Sequence, residues 1–349
     1  MSDTLHRTGA PPATRSARSF SFGALARRPE AGSFLGMVIV FIFFAIAGGA
    51  NFVTLGGTAS WLNVAAEIGI VALPVGLLMI AGELDISIGS VIPAASMTVA
   101  IISGYFGLPL ILGVAAALAL GLLVGFVNGI LVIRTGVPSL IVTLGSLFAV
   151  AGLTLGLSVI ITGSTGVPIQ TGPIGKALLG QFIAGIFQVT ILWWLVAIVV
   201  VGFLLHISRW GNWIFALGGD KVSARNEGIP IDRLIIQLFM SSGFAAAFIG
   251  ISQAILYNSA QVSTGQSFIF NSIISVVIGG VLLTGGFGSV VGIVFGTITF
   301  AIVNQGIFYT GFDANWASLI IGVLLLLAVL LNNTFRKMAL NYSPKKGKS

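Results

Sequence analysis

Glu83 and Asp85 are the two carboxylates of the stretch Met79 to Ser96, MIAGELDISIGSVIPAAS, which lies in an otherwise apolar region. An acid at membrane depth costs a few kcal/mol unless it faces protein or water, so its presence there implies a job. The i, i+2 spacing would point the pair to different faces of a helix, which favours a structural role over a shared cation or proton site. Gly82 and Gly89 bracket the acids, and Ser87, Ser90 and Pro93 follow, so one helix can end here and another begin. The carboxylates would then accept hydrogen bonds from backbone N–H groups or from Ser87 and Ser90 and hold an interrupted helix at a gate. Glu67 differs, because Asn63 stands one helical turn before it on the same face. It either lines a water-accessible route or pairs with a polar group of another helix. With Asn128, Asn304 and Gln305, these two residues form the expected substrate pathway.

The same inventory argues against catalysis. Cysteine is absent and only two histidines occur, His6 and His206, so neither a metal cluster nor a nucleophile–base pair is expected. No phosphate loop of the form GxxxxGK[ST] occurs, so any ATP hydrolysis must belong to a separate polypeptide.

These residues need membrane helices to position them. The chain has 349 residues, 56% apolar and 7% charged, whereas a soluble domain carries about 25% charged residues. The expected fold is an all-α polytopic membrane protein of about ten transmembrane helices, some interrupted, with a partial internal repeat. At about 20 residues per span, the apolar blocks are Phe34–Ala50, Trp61–Ala81, Ile86–Phe106, Leu108–Ile133, Leu140–Ile161, Gln188–Ile207, Leu234–Leu256, Phe270–Leu283, Val290–Phe308 and Trp316–Leu331. The eighth is short for a full crossing. Residues 1–32 read as a disordered tail rather than a cleavable signal, 33–333 as one permease domain, and 334–349 as a basic tail.

The formal charge of +7 follows membrane topology and does not point to nucleic acid. With ten spans and an internal amino terminus, 15 of the 16 Lys and Arg residues fall on the cytoplasmic side, all but Lys176. Both termini are therefore expected in the cytoplasm. The longest cytoplasmic loop, 208–233, carries a short capped helix: Gly218 and Gly219 end one segment, Asp220 is an N-cap, and Lys221 to Glu227 make about two turns. Gly228 and Pro230 stop it. A glycine-bracketed charged helix suits docking to a partner, against the alternative of a solvated linker.

Two regions resemble each other: AGELDISIGSV at Ala81–Val91 with GGVLLTGGFGSV at Gly279–Val290, and more weakly FVNGILVIRTG at Phe126–Gly136 with IVNQGIFYTG at Ile302–Gly311. Duplication or chance similarity of glycine-rich helices accounts for this. Duplicated halves with matching breaks are a transporter feature. Glycines four residues apart, Gly121, Gly125 and Gly129, Gly152 and Gly156, and Gly292 and Gly296, permit close helix packing.

GELDISIGSV, then ALGGDKVSARNEGI, then VVIGGVLLTGGFGSVVGIVFG, in that order between about Trp61 and Leu331, resemble the permease subunits of bacterial ribose/xylose/arabinose/galactoside-type ABC importers. The resemblance implies an inner-membrane homodimer or heterodimer of permease subunits, a cytoplasmic ATP-binding subunit and a periplasmic sugar-binding protein. ATP and Mg would reside on the ATPase, and no cofactor on this chain. It also implies that Gly218, Gly219, Asp220, Lys221, Ala224, Arg225 and Gly228 form the coupling segment seated on the ATPase, where a bulky or acidic residue at Gly219 or Arg225 would uncouple hydrolysis from uptake. The loop lacks a clear EAA-type motif, as is common in this family. An ion-coupled secondary transporter, and a permease of the same family for a nucleoside or furanosyl signalling molecule, are the alternatives.

Overall fold

A computed structural model of the chain describes residues 29–311 together with 313, 316, 319, 322, 323, 326, 327 and 330. The helices are α1 Pro29–Ala47, α2 Gly49–Val53, α3 Leu55–Ile80, α4 Ile88–Val99, α5 Leu110–Thr135, α6 Ser139–Thr162, α7 Pro173–Leu179, α8 Thr190–His206, α9 Arg209–Gly219, α10 Lys221–Asn226, α11 Ile231–Tyr257, α12 Gln266–Ile278 and α13 Val290–Gly306. α4 runs on through a π-helical turn, Ala100–Tyr105. Two small antiparallel pairs, β1 Gly166–Pro168 with β4 Ser259–Gln261 and β2 Phe182–Ile183 with β3 Phe187–Gln188, close the face opposite α9 and α10.

The all-α membrane architecture is as the sequence predicts, and the count of ten spans is not confirmed among the described residues. Among the described residues, seven helices are long and apolar enough to cross a bilayer, and an eighth crossing arises if α8 and α9, bent by 69°, count as one. α12 has 13 residues, about 20 Å at 1.5 Å per residue, too short to cross a hydrocarbon core of about 30 Å. This agrees with the expectation that the eighth apolar run is short for a full crossing; its depth is not legible from composition. The expected tenth span, Trp316–Leu331, and the carboxy-terminal tail lie outside the continuously described residues. α1 begins at Pro29, inside the stretch 1–32 read as tail; the rest of that tail lies outside the described residues.

α3 and α4 form the buried centre with α11, α12 and α13, whereas α6 and much of α5 and α8 turn apolar side chains outward, as lipid contact requires. Glycine sets how closely the central helices approach. A Cβ on Gly121 would run into the Gly243 carbonyl of α11, and one on Gly125 into Phe239. Gly292 and Gly296 press on Gly279 and Ser275 in the same way. Gly152 and Gly156, by contrast, have open space where a side chain would be, so the expected close packing is not seen there among the described residues.

The internal repeat is a repeat of chain path. α3 ends with N–H groups of Ala81, Gly82 and Glu83 donating to Leu77, Met79 and Leu78; α12 ends with Gly279, Gly280 and Val281 donating to Ser275, Val277 and Val276. Both are Schellman closures with glycine in the left-handed region, at φ +83° for Gly82 and +88° for Gly280. A non-helical segment then leads into α4 in one case and α13 in the other. The second sequence echo has no such counterpart: Asn128 lies on α5, after α4, whereas Asn304 lies on α13, the equivalent of α4.

Candidate transport core

The first break, Ala81 to Ser87, is fastened by side chains. Asp85 is fully buried, and its Oδ1 accepts from the Ser87 backbone N–H at 2.9 Å and from the Ser87 hydroxyl at 2.6 Å. Asn128 donates its side-chain amide to Ser87 Oγ at 2.9 Å, and the Ser146 hydroxyl donates to Asn128 Oδ1, so one polar chain joins α4, α5 and α6. The start of α6 supplies further acceptors: Leu84 N–H donates to Ser139 Oγ at 3.0 Å and Ile86 N–H to Thr143 Oγ1 at 3.3 Å. Extended backbone at membrane depth is tolerable because protein groups satisfy it. Ser90 donates to the Ser87 carbonyl at 2.9 Å, and Gly89 is where Ile269 of α12 packs on α4.

Glu83 does not join this network. Its carboxylate faces Lys221 Nζ of α10 at 3.4 Å, with the Glu83 side chain 12% and the Lys221 side chain 49% exposed. The break is thus tied to the loop 208–233. Within that loop, Asp220 Oδ1 accepts from Ser223 N–H at 2.6 Å, capping α10, and the Ser223 hydrogen bonds hold the Asp220 carboxyl below the usual carboxylate range. Gly228, at φ +79°, closes the other end; Ala224 is buried; and Arg225 pairs with exposed Asp232 at 2.7 Å.

Gly218 makes the decisive contact of the loop. A Cβ there would strike the Ile80 carbonyl and the Gly286 amide, while the neighbouring Gly219 has nothing within 4 Å. Gly286 N–H donates to the Ile80 carbonyl at 2.8 Å, and a Cβ on Gly285 would lie 2.9 Å from the Gly218 carbonyl and 3.0 Å from Gly82. The ends of α3 and α9 and the second break therefore meet backbone to backbone. Both breaks touch the loop at one point. His206 at the end of α8 reinforces the arrangement by accepting from Val290 N–H, at the start of α13, at 3.3 Å.

The five residues assigned to a pathway do not gather on one lining. Asn63 clamps the β2–β3 hairpin, donating to the Ile186 carbonyl at 2.9 Å and accepting from Gln188 N–H at 2.8 Å. Glu67 takes the second of its two expected roles, accepting from Gln253 Nε2 of α11 at 2.9 Å. Asn128 belongs to the break, and Asn304 and Gln305 bond each other at 2.9 Å. Sequence reasoning missed Ser139, Thr143, Gly285 and Gly286. A hydroxyl at the first turn of an apolar helix is an ordinary cap signal, so nothing local marked the two hydroxyls as serving another helix.

Residues 57–329 match the family model described as "Branched-chain amino acid transport system / permease component". The chain is similar to the fructose import permease protein of Rhizobium meliloti, with 27% identity over 89% of this chain and 87% of the relative. It is similar to the ribose import permease protein of Escherichia coli (strain K12), with 30% identity over 81% and 87%. The autoinducer 2 import system permease protein of Photorhabdus laumondii shares 30% identity over 75% of this chain and 79% of its own length.

Proposed function

The chain belongs to the branched-chain amino acid transport system / permease component family, and from that premise we propose that it is the permease subunit of an ATP-driven importer carrying a monosaccharide delivered by a periplasmic binding protein. In this reading it sits in the bacterial inner membrane with both termini in the cytoplasm. It works as a homodimer or heterodimer with a separate ATP-hydrolysing subunit, which carries ATP and Mg and docks on the loop 208–233. The names of the fructose and ribose permeases support the cargo class.

The observation that carries the mechanism is the junction of Gly218 with Ile80 and Gly286, beside the Glu83–Lys221 pair. A force applied to α10 by a closing ATPase reaches the first break through Glu83 and both breaks through Gly218. The helices α4 and α13 that follow can then change tilt together, and each state is favoured by whatever binds it more tightly. Glu67 and Asp85 already have protein partners in the ground state, which does not favour ion coupling.

Charge reversal tests the reading. In the assembled transporter, Lys221→Glu is expected to cut both sugar uptake and binding-protein-stimulated ATP hydrolysis several-fold. Combining it with Glu83→Lys should restore part of both, while the basal fold is retained because Lys221 is half-exposed and such a pair contributes under about 1 kcal/mol. Wild-type uptake and hydrolysis in the single variants would overturn the coupling role.

A further inference from the structure

We propose that the cavity between α4, the end of α11, β4 and the loop leading into α12 is the cargo site, and that it takes a neutral polyhydroxylated molecule of monosaccharide size. This rests on the permease reading and deepens it. The cavity measures about 490 Å³ and is lined by Ser96, Gln253, Tyr257, Gln261, Thr264 and Gln266 with further serines, Gly265 and Phe268; no charged side chain is among them. Two other cavities of about 370 Å³ have linings dominated by Leu, Ile, Val, Ala and Phe and lie on the flanks of the helices.

The lining selects a chemical class. Amides and hydroxyls both donate and accept, so they can exchange one for one with the hydroxyls of a polyol. An ionised carboxylate, phosphate or ammonium group would find no counter-charge among the lining side chains. Gln253 is already oriented for such a ligand, since its Nε2 is tied back to Glu67 at 2.9 Å and its carbonyl oxygen is left to accept from a ligand hydroxyl. The rings of Tyr257 and Phe268 add apolar faces for the C–H side of a sugar ring.

The position fits transport. Gly265 has φ +107°, and a Cβ on it would lie 2.7 Å from both the Gly89 carbonyl and Pro93 Cδ, so only glycine lets this loop drop onto the first turns of α4. α12 therefore starts inside the bundle, at the floor of the cavity. It ends at Gly279, beside the segment that meets Gly218. A single short helix links the cavity to the junction with the coupling loop.

The chain has no cysteine, so Ser263→Cys gives the full-length protein one thiol at the cavity. In nanodiscs, its labelling by a cationic methanethiosulfonate reagent is expected to slow several-fold in millimolar D-ribose or D-fructose and to be unaffected by L-leucine. No slowing by either sugar, or equal slowing by leucine, overturns the proposal. In the intact transporter, Gln266→Leu is expected to lower uptake of the labelled sugar about five-fold, the worth of one neutral hydrogen bond. Wild-type transport that Gln266→Leu leaves unchanged rejects the cavity alone. A wild-type transporter that carries neither sugar rejects the monosaccharide reading and this site with it.

Discussion

The two breaks begin alike and are then held by opposite means. After the same Schellman closure, the first depends on polar side chains converging from three helices on Asp85 and the extended backbone. The second depends on what is missing: Gly285, Gly286 and Gly288 all have positive φ, at 83°, 75° and 159°, and the first two lie against the backbone of Gly82, Gly218 and Gly219. One break is built from hydrogen-bonding partners, the other from the absence of side chains. The first should therefore fail when a group is removed, and the second when one is added.

The largest effect is expected from addition. Gly218→Val would drive a branched side chain into the Ile80 carbonyl and the Gly286 amide, and backbone on both sides leaves no flexible neighbour to yield. A cost above about 3 kcal/mol follows, read as loss of monodisperse protein after detergent extraction. Gly219→Val, one residue away in open space, should fold and melt like the wild type. Equal behaviour of the two variants would show that the junction is looser than its contacts imply, and would remove the contrast between the breaks.

Removal should act next most strongly, and most at the first break. Asp85→Ala leaves the Ser87 N–H and hydroxyl buried without their shared acceptor, for a loss of about 3 kcal/mol measured by thermal unfolding. Asp85→Asn keeps one acceptor oxygen and should recover roughly half of that. In the second break Leu282→Ala removes no hydrogen-bonding group, since Leu282 bonds only through its backbone, its N–H donating to the Phe287 carbonyl at 3.3 Å and its carbonyl accepting from Gly285 N–H at 3.1 Å, and its effect should stay below about 1 kcal/mol. A Leu282→Ala variant as unstable as Asp85→Ala would mean that side-chain packing, and not backbone approach, holds the second break.

Why one break was more legible than the other follows from the same contrast. Acids, serines and glycines adjacent in sequence announce a local break, so Asp85 with Ser87 and the capped α10 with Asp220 and Gly228 can be read from their neighbours. The partners of Gly218 cannot, because Ile80 and Gly286 are far away in sequence and a glycine carries no mark of the surface it lies against. The same holds for Gln253 opposite Glu67, and for the depth of α12: its apolar run is visibly short for a crossing, but nothing in it marks that its start lies on Gly89 and Pro93. The run SAQVSTGQS at Ser259–Ser267 was a usable signal of polar lining between two apolar blocks. Its depth was not.

The smallest effect gives the sharpest comparison, because it uses the same residue in the same sequence motif. GSV occurs at Gly89–Val91 and at Gly288–Val290, yet the two serines do different work. Ser289 is the N-cap of α13, and its Oγ accepts from Gly292 N–H at 3.0 Å. Ser90 lies inside α4 and donates back to the Ser87 carbonyl at 2.9 Å, a bond to a group whose helical acceptor role is already served by Val91 N–H at 3.0 Å. Loss of a cap leaves a helix N–H without a partner and costs about 1 kcal/mol, whereas loss of a back-bonding hydroxyl inside a helix costs little and can relieve a bend. Ser289→Ala should therefore lower the unfolding temperature clearly and Ser90→Ala barely, in parallel melts of purified protein. The reverse order would mean that Ser90, and not Asp85, supplies the bond that holds the start of α4.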